Sequence, residues 1–135
     1  MMKIKPMVYQ ADRKIELLYK GNYKGYDYYI LNLGTHPTAY IEIPKGHKYY
    51  KKHYDRIDLY VHGGLTYSDS ELMCVPSKNW FIGWDYAHAG DYMGYYTDEM
   101  LLDCPSLLSE KQWTTEEIIE DCENAIDQII EMEGK

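Results

Sequence analysis

The sequence predicts an α+β fold: a mainly antiparallel, aromatic-rich sheet with a C-terminal amphipathic helix packed on one face. Three observations carry that expectation. Runs of branched and aromatic residues, such as 26–33 and 38–43, recur between turns rich in Gly, Pro and Asn. The stretch 114–132 instead repeats apolar residues at helical spacing. The 16 tyrosines, against one phenylalanine, favour half-buried pleated surfaces where a hydroxyl keeps a partner in reach.

Taken in order, a short strand is expected around 4–9, and 14–19 is ambiguous between strand and helix. Gly21-Asn22 and Lys24-Gly25 are turn signals ahead of a strand over 26–33. Gly34-Thr35-His36-Pro37 makes the next turn, because proline lacks a donor and pushes His36 toward extended geometry. A third strand over 38–43 completes a meander. Pro44-Lys45-Gly46-His47 then ends it, and 48–56 is a basic stretch read as a short helix or loop. A strand is expected over 57–61, a resumed strand over 65–68, and a central strand over 80–84. Gly83 within the last marks a bulge or a close backbone approach. Residues 98–112 are weakly helical and interrupted by Pro105. The final helix has a capping box, with Thr114 as N-cap and Glu117 three residues on, and a staple between Trp113 and Ile118. Ile118, Ile119, Cys122, Ala125, Ile126, Ile129 and Ile130 are expected to share its apolar face.

The 135 residues make a single domain, with a motif core over 40–92 and an acidic helix over 114–132. No apolar run approaches the roughly 18 residues that span a bilayer, and the N-terminus lacks a signal-peptide core. A cytoplasmic protein without membrane contact is expected. Cys74, Cys104 and Cys122 fit neither a zinc ribbon nor a disulfide framework and are expected to be free and mostly buried. Net charge is −8, but residues 1–97 hold 12 Lys/Arg against 10 Asp/Glu, while 98–135 hold 2 against 12. Direct nucleic-acid binding is therefore disfavoured, and with only Arg13 and Arg56 there are few bidentate phosphate forks.

The candidate chemistry lies between Tyr54 and Asp91. His62 and His88 each follow a strand-like run and sit beside small, flexible residues: Gly63 and Gly64 after the first, Gly90 near the second. Imidazole is a general base, a proton donor or a ligand near neutral pH. Asp85 joins them as the third candidate catalytic group. A shell of Asp85, His88, Asp91, His62 and Asp55 has the donor types of a metal site, but Asp-x-x-His is common and no metal is assigned from it. The ordinary alternative makes Asp85 a turn cap and Asp91 an Asx-turn residue. His36-Pro37-Thr38 fits one motif of two-histidine phosphoesterases, but His62 is followed by two glycines where the second is needed. No Walker A, Gly-x-Gly-x-x-Gly or nucleophile-elbow motif occurs, and the sequence names no cofactor. The basic stretch from Lys45 to Arg56 is either a solvated face or an anion-facing patch beside the glycine turns.

The run His62-Gly63-Gly64-Leu65-Thr66-Tyr67-Ser68, then Trp80 to Asp91 with its Gly-x-Asp-x-Ala-His-x-Gly-Asp pattern, resembles an uncharacterised family of small phage and prophage proteins. A Pro-x-Gly-His turn precedes both. The resemblance covers roughly residues 40–92. It carries over Gly46, His47, Tyr54, Asp55, His62, Gly63, Gly64, Thr66, Tyr67, Ser68, Asp85, His88, Gly90 and Asp91 as motif positions. Trp84 and Tyr86 depart from it, standing where Phe and a small residue are expected. It implies provenance more than activity, and the function expected beside it is that of an accessory protein acting in the host cytoplasm, against host defence. His62, His88 and Asp85 would be catalytic. His47, Tyr54, Asp55, Gly63, Gly64, Thr66, Ser68 and Asp91 would contact a small nucleotide-like ligand. Two other expectations stand beside it: an anti-CRISPR-type inhibitor of a host defence protein that uses the acidic helix as a nucleic-acid mimic, and a structural homo-oligomer with no small-molecule site.

Overall fold

A computed structural model describes residues 15–34, 36–77, 79–88, 90–91 and 97–133. The strand expected at 4–9 lies outside these. β1 (Glu16–Tyr23), β2 (Tyr26–Asn32), β3 (Pro37–Ile43), β4 (Tyr67–Asp69) and β5 (Trp80–Asp85) form one antiparallel sheet in the order β1-β2-β3-β5-β4. α1 (Asp98–Asp103) and a 3-10 turn (Pro105–Ser109) lead to α2 (Thr115–Glu133). The α+β class and the helix on one sheet face are as expected. Lys24-Gly25 makes the first hairpin turn, with Gly25 at φ +91°, whereas Gly21-Asn22 is paired inside β1.

Alternation along β2, β3 and β5 divides two cores. Ile30, Ile41, Ile43, Ile82 and Trp84 face α2, which presents Ile118, Cys122, Ala125, Ile126 and Ile129. Tyr29, Leu31, Tyr40 and Phe81 face the other way, against Leu72 and Val75. The sheet is not an aromatic cluster. Its centre against α2 is largely aliphatic, and several buried tyrosines instead send their hydroxyls to carboxylates, as Tyr29 does to Glu42 at 2.6 Å. A buried phenol needs a hydrogen-bond partner, which an aliphatic centre cannot supply. Of the thiols, Cys122 is buried but Cys74 and Cys104 are exposed, so most are not in the core.

The two sheet edges are protected differently. β1 is solvent-facing and carries an irregularity between Leu17 and Tyr19, while β4 is only 3 residues long. Both devices limit edge-to-edge pairing.

Residues 57–61 do not form the expected strand. They alternate correctly, with Ile57 and Leu59 buried and Tyr60 exposed, but they lie along α2 rather than beside the sheet. Gln128 takes the partner's role: its side-chain oxygen accepts from the Tyr60 N–H and its amide donates to the Tyr60 C=O, both at 2.8 Å. Period-2 burial requires an apolar neighbour on one side only, so a helix serves as well as a sheet. The α2 N-terminus is as expected: the Thr114 hydroxyl accepts from the Glu117 N–H at 3.2 Å and Glu117 accepts from the Thr114 N–H at 3.1 Å. Among the described residues, no helix is long and apolar enough to cross a membrane.

Glu42 is 9% exposed on the face away from α2 and accepts from Tyr29, Ser77 and Asn79. Burial pushes its carboxyl up, but these three hydrogen bonds and the nearby Lys20 charge pull it further down, below its ordinary value. Its ionised form thus stabilises the fold above the usual glutamate range, and that contribution is lost as pH falls through the lowered value. In urea titrations from neutral pH to pH 3, Glu42→Gln is expected to lose about 1–3 kcal/mol at neutral pH and to show a shallower acid decline than the parent.

Candidate functional site

The site forms where β5 ends. Asp85 closes the strand, Tyr86 turns into the core against α2, and the chain passes His88 before tucking Asp91 inside. His62 arrives on the strap that runs along α2, and Trp113 comes from the residues just before that helix.

Asp91 is the centre of the cluster and is 3% exposed. Its oxygens lie 2.8 and 3.0 Å from His62 Nε2. The His88 N–H donates at 2.9 Å and the Trp113 indole N–H at 2.8 Å, with His88 Nδ1 at 3.3 Å. Burial acts to raise this carboxyl, yet the bonds from His62, the His88 backbone and Trp113 together hold it below the ordinary aspartate value. It is a buried carboxylate kept ionised by its donors.

Asp85 holds the second imidazole. Its carboxylate is 3.5 Å from His88 Nε2, accepts from the Thr66 hydroxyl at 3.0 Å and from the Ala87 N–H at 3.2 Å. Asp91 is thus shared by both histidines, His88 lies between it and Asp85, and the two rings meet edge to face at 5.3 Å. The His62 ring also stacks on Tyr86 at 4.8 Å and 9° and packs against Trp113. Tyr86 is fixed in turn: its hydroxyl donates to Asp121 at 2.6 Å and accepts from the Trp84 indole at 3.0 Å.

Two glycines make this approach possible. Gly63 has φ +70°, and a Cβ there would lie within 3.0 Å of three atoms of the His88 ring. Gly83 lies under Tyr40, and a Cβ there would also sit 2.6 Å from the Ala39 carbonyl oxygen. The close backbone approach read from Gly83 is thus present, and it lets the Tyr40 ring lie across β5.

A cleft of about 210 Å³ opens beside Asp85, lined also by Leu33, His36, Tyr40, Thr66, Tyr67 and Trp84. Burial holds His36 below its ordinary value, and it feels the charges of Asp85 and Asp91.

Of the residues picked from sequence, His62, Gly63, Thr66, Asp85, His88 and Asp91 converge. Gly64 completes the turn beside them, donating to the Val61 carbonyl at 3.0 Å. The others do not join. His47 contacts Glu133 at 3.1 Å, whereas Trp113 stands at the other end of α2; nineteen helical residues span about 27 Å. Asp55 pairs with His53 at 2.8 Å, and the Tyr54 N–H is bonded to Ser68 Oγ at 3.1 Å. Asp55 lies in a separate open groove of about 510 Å³ with Lys51, Lys52, His53 and Arg56. The Lys52 carbonyl accepts from the indole of Trp80, at the far end of β5 from Asp85, and no residue of the groove lines the cleft beside Asp85. The basic patch is thus not a wall of the histidine site. Trp113 and Tyr86 were missed as site residues. An aromatic at a helix start reads as a packing residue, and the only hint was that a buried indole N–H needs an acceptor.

No family model, curated protein or solved structure matches the chain.

Both Gly63 and Gly64 have positive φ, but a Cβ at Gly64 meets nothing within 4 Å. Urea denaturation of Gly64→Ala should show the backbone cost alone, about 1–2 kcal/mol. Gly63→Ala should lose a further 1–3 kcal/mol, on the order of an overpacking penalty, as His88 is displaced.

Proposed function

We propose that this chain is a phage or prophage accessory protein that acts in the host cytoplasm against host defence, by taking a small nucleotide-like signal into the cleft beside Asp85, at the edge of the histidine cluster. The observation that carries the proposal is the convergence of two half-exposed imidazoles on Asp91, with Asp85 on the other side of His88 and lining a cleft with aromatic walls. At about 210 Å³ the cleft is smaller than the roughly 300–1,000 Å³ of pockets for drug-sized ligands, so it suits one base or one sugar. The rest of the signal would lie over the histidines.

That arrangement serves sequestration directly and cleavage through acid–base chemistry. In cleavage of a phosphodiester, one imidazole takes the proton of the attacking water as its oxygen bonds to phosphorus. The other, protonated, gives its proton to the departing oxygen. Asp91 and Asp85 would hold the rings in the tautomers these steps require, as a carboxylate does for histidine in hydrolytic triads.

The reading of α2 as a nucleic-acid mimic is weakened by what its acids already hold. Asp121 is bonded to Tyr86, Glu117 to Lys111, Asp127 to Lys24, and Glu133 to Tyr26 and His47. Exposed Glu116, Glu120 and Glu131 and half-buried Glu123 remain on this helix, a thin stripe for imitating a phosphate backbone.

A release assay tests the proposal. Purified protein is mixed with cyclic nucleotide and NAD-derived signals, desalted and heat-denatured, and both fractions are read by mass spectrometry. An intact signal released from the parent and lost in His62→Ala and His88→Ala establishes sequestration, and a converted signal in the flow-through establishes an enzyme. If neither is found, the pocket is rejected and charge reversal at Glu116, Glu120 and Glu131 becomes the test of a protein partner.

A further inference from the structure

We propose that His62, His88 and Asp91 bind one divalent transition-metal ion of the Zn²⁺ type, leaving open coordination positions for the ligand. The inference deepens the sequestering form of the small-ligand reading and rests on it for what the ion would do, because imidazoles that ligate an ion cannot also exchange protons with a substrate.

Ligand geometry is the first support. One donor atom from each of the three residues lies within 4.8 Å of the others. His88 Nδ1 is 3.3 Å from Asp91 Oδ2. Bonds of about 2.0–2.1 Å in a tetrahedral shell place neighbouring ligands roughly 3.3 Å apart, so this pair needs almost no movement. His62 Nε2, at 2.8 Å from the same oxygen, has to withdraw by about half an ångström, with its proton on Nδ1.

The surroundings are the second. Metal-binding histidines usually give their other ring nitrogen to a carboxylate, and ligating carboxylates are themselves hydrogen-bonded. Asp85 stands 3.5 Å from His88 Nε2, and Asp85 is itself fixed by Thr66 and Ala87. The indole of Trp113 holds Asp91 Oδ1, the oxygen not shared with His88. His62 is clamped between Tyr86 and Trp113. Groups around the three donors thus fix their orientation from outside.

Charge is the third. Two carboxylates face this small volume, and with neutral histidines the site would repel a phosphate. A bound dication would cancel these two negative charges and offer a fourth position to water or a phosphate oxygen. That resolves the tension between an acidic cluster and an anionic signal. The sequence alone assigns no metal, because Asp-x-x-His is a common spacing; the fold brings the candidate His62 onto Asp91 and leaves Asp55 with His53.

The test is a Co²⁺ titration of the full chain after chelator treatment, followed by visible absorption and by displacement with Zn²⁺. Saturation near one equivalent is expected, with an intensity typical of low coordination number. His62→Ala and His88→Ala should each weaken binding about 100-fold or more with unchanged circular dichroism, and Asp85→Asn about 10-fold. His53→Ala should change nothing. Asp91→Asn risks unfolding, so half-exposed His88 is the deciding position. Absence of Co²⁺ binding by the folded parent, or binding unchanged in His88→Ala, overturns the metal site. The titration contains no nucleotide, so its failure is distinct from failure of the pocket. Chelated protein that binds no Co²⁺ but still releases a signal keeps the pocket and overturns the metal. Co²⁺ binding with no signal recovered does the reverse.

Discussion

The carboxylate of Asp91 is tolerable in the interior only with several donors, and supplying them fixes three separate segments of chain. A bare buried carboxylate would cost many kilocalories and would take up a proton instead. Here the loop after β5 gives the His88 N–H, the strap gives His62, and the lead-in to α2 gives Trp113. The closing of the sheet, the path of the strap and the start of the helix therefore meet at one residue. Loss of any donor leaves the others holding an under-satisfied charge, so the cluster behaves as a unit rather than as a sum of pairs.

Around that unit the molecule has a simple division. The α2 face of the sheet is the larger core and is mainly aliphatic. The opposite face is smaller, with Glu42 buried among hydroxyl and amide donors. The histidine cluster sits at the rim between the two, where β5 runs out and side chains from both faces are reachable. A strand end supplies what a strand centre cannot: backbone free to turn, and polar groups near water.

Much of the fold was legible because its signals are local. Turns at Lys24-Gly25 and around Pro37, the alternation of β3, and the Thr114–Glu117 box each need only a few neighbouring residues to be read. The expected strand at 57–61 is the instructive exception. Alternating burial was correct, yet the hydrogen-bond partner was a glutamine side chain far along the sequence, which no local pattern encodes. The site was legible in the same partial way. Glycine beside histidine pointed to His62, Gly63, Asp85, His88 and Asp91, since close ring approach requires a missing Cβ. His47, Tyr54, Asp55 and Ser68 were drawn in by the same motif stretch, but they fasten the basic loop, and a sequence cannot say which turn a turn residue serves. Trp113 was hidden because its packing and its indole N–H serve different purposes.

The strap bound by Gln128 has a consequence for how the site lives in time. His88, Asp85 and Asp91 belong to the end of the sheet, while His62 is carried by a segment held by the burial of Ile57 and Leu59 and by one side-chain amide. Proteins open in cooperative pieces of unequal stability, and a segment outside the sheet's ladder opens more cheaply than the strands do. Lifting the strap would separate the two imidazoles while the sheet stays intact. The complete constellation is thus a conditional state of the molecule, assembled whenever the strap is seated, and a ligand or ion that bridges the two histidines would act as a clasp between two folding units.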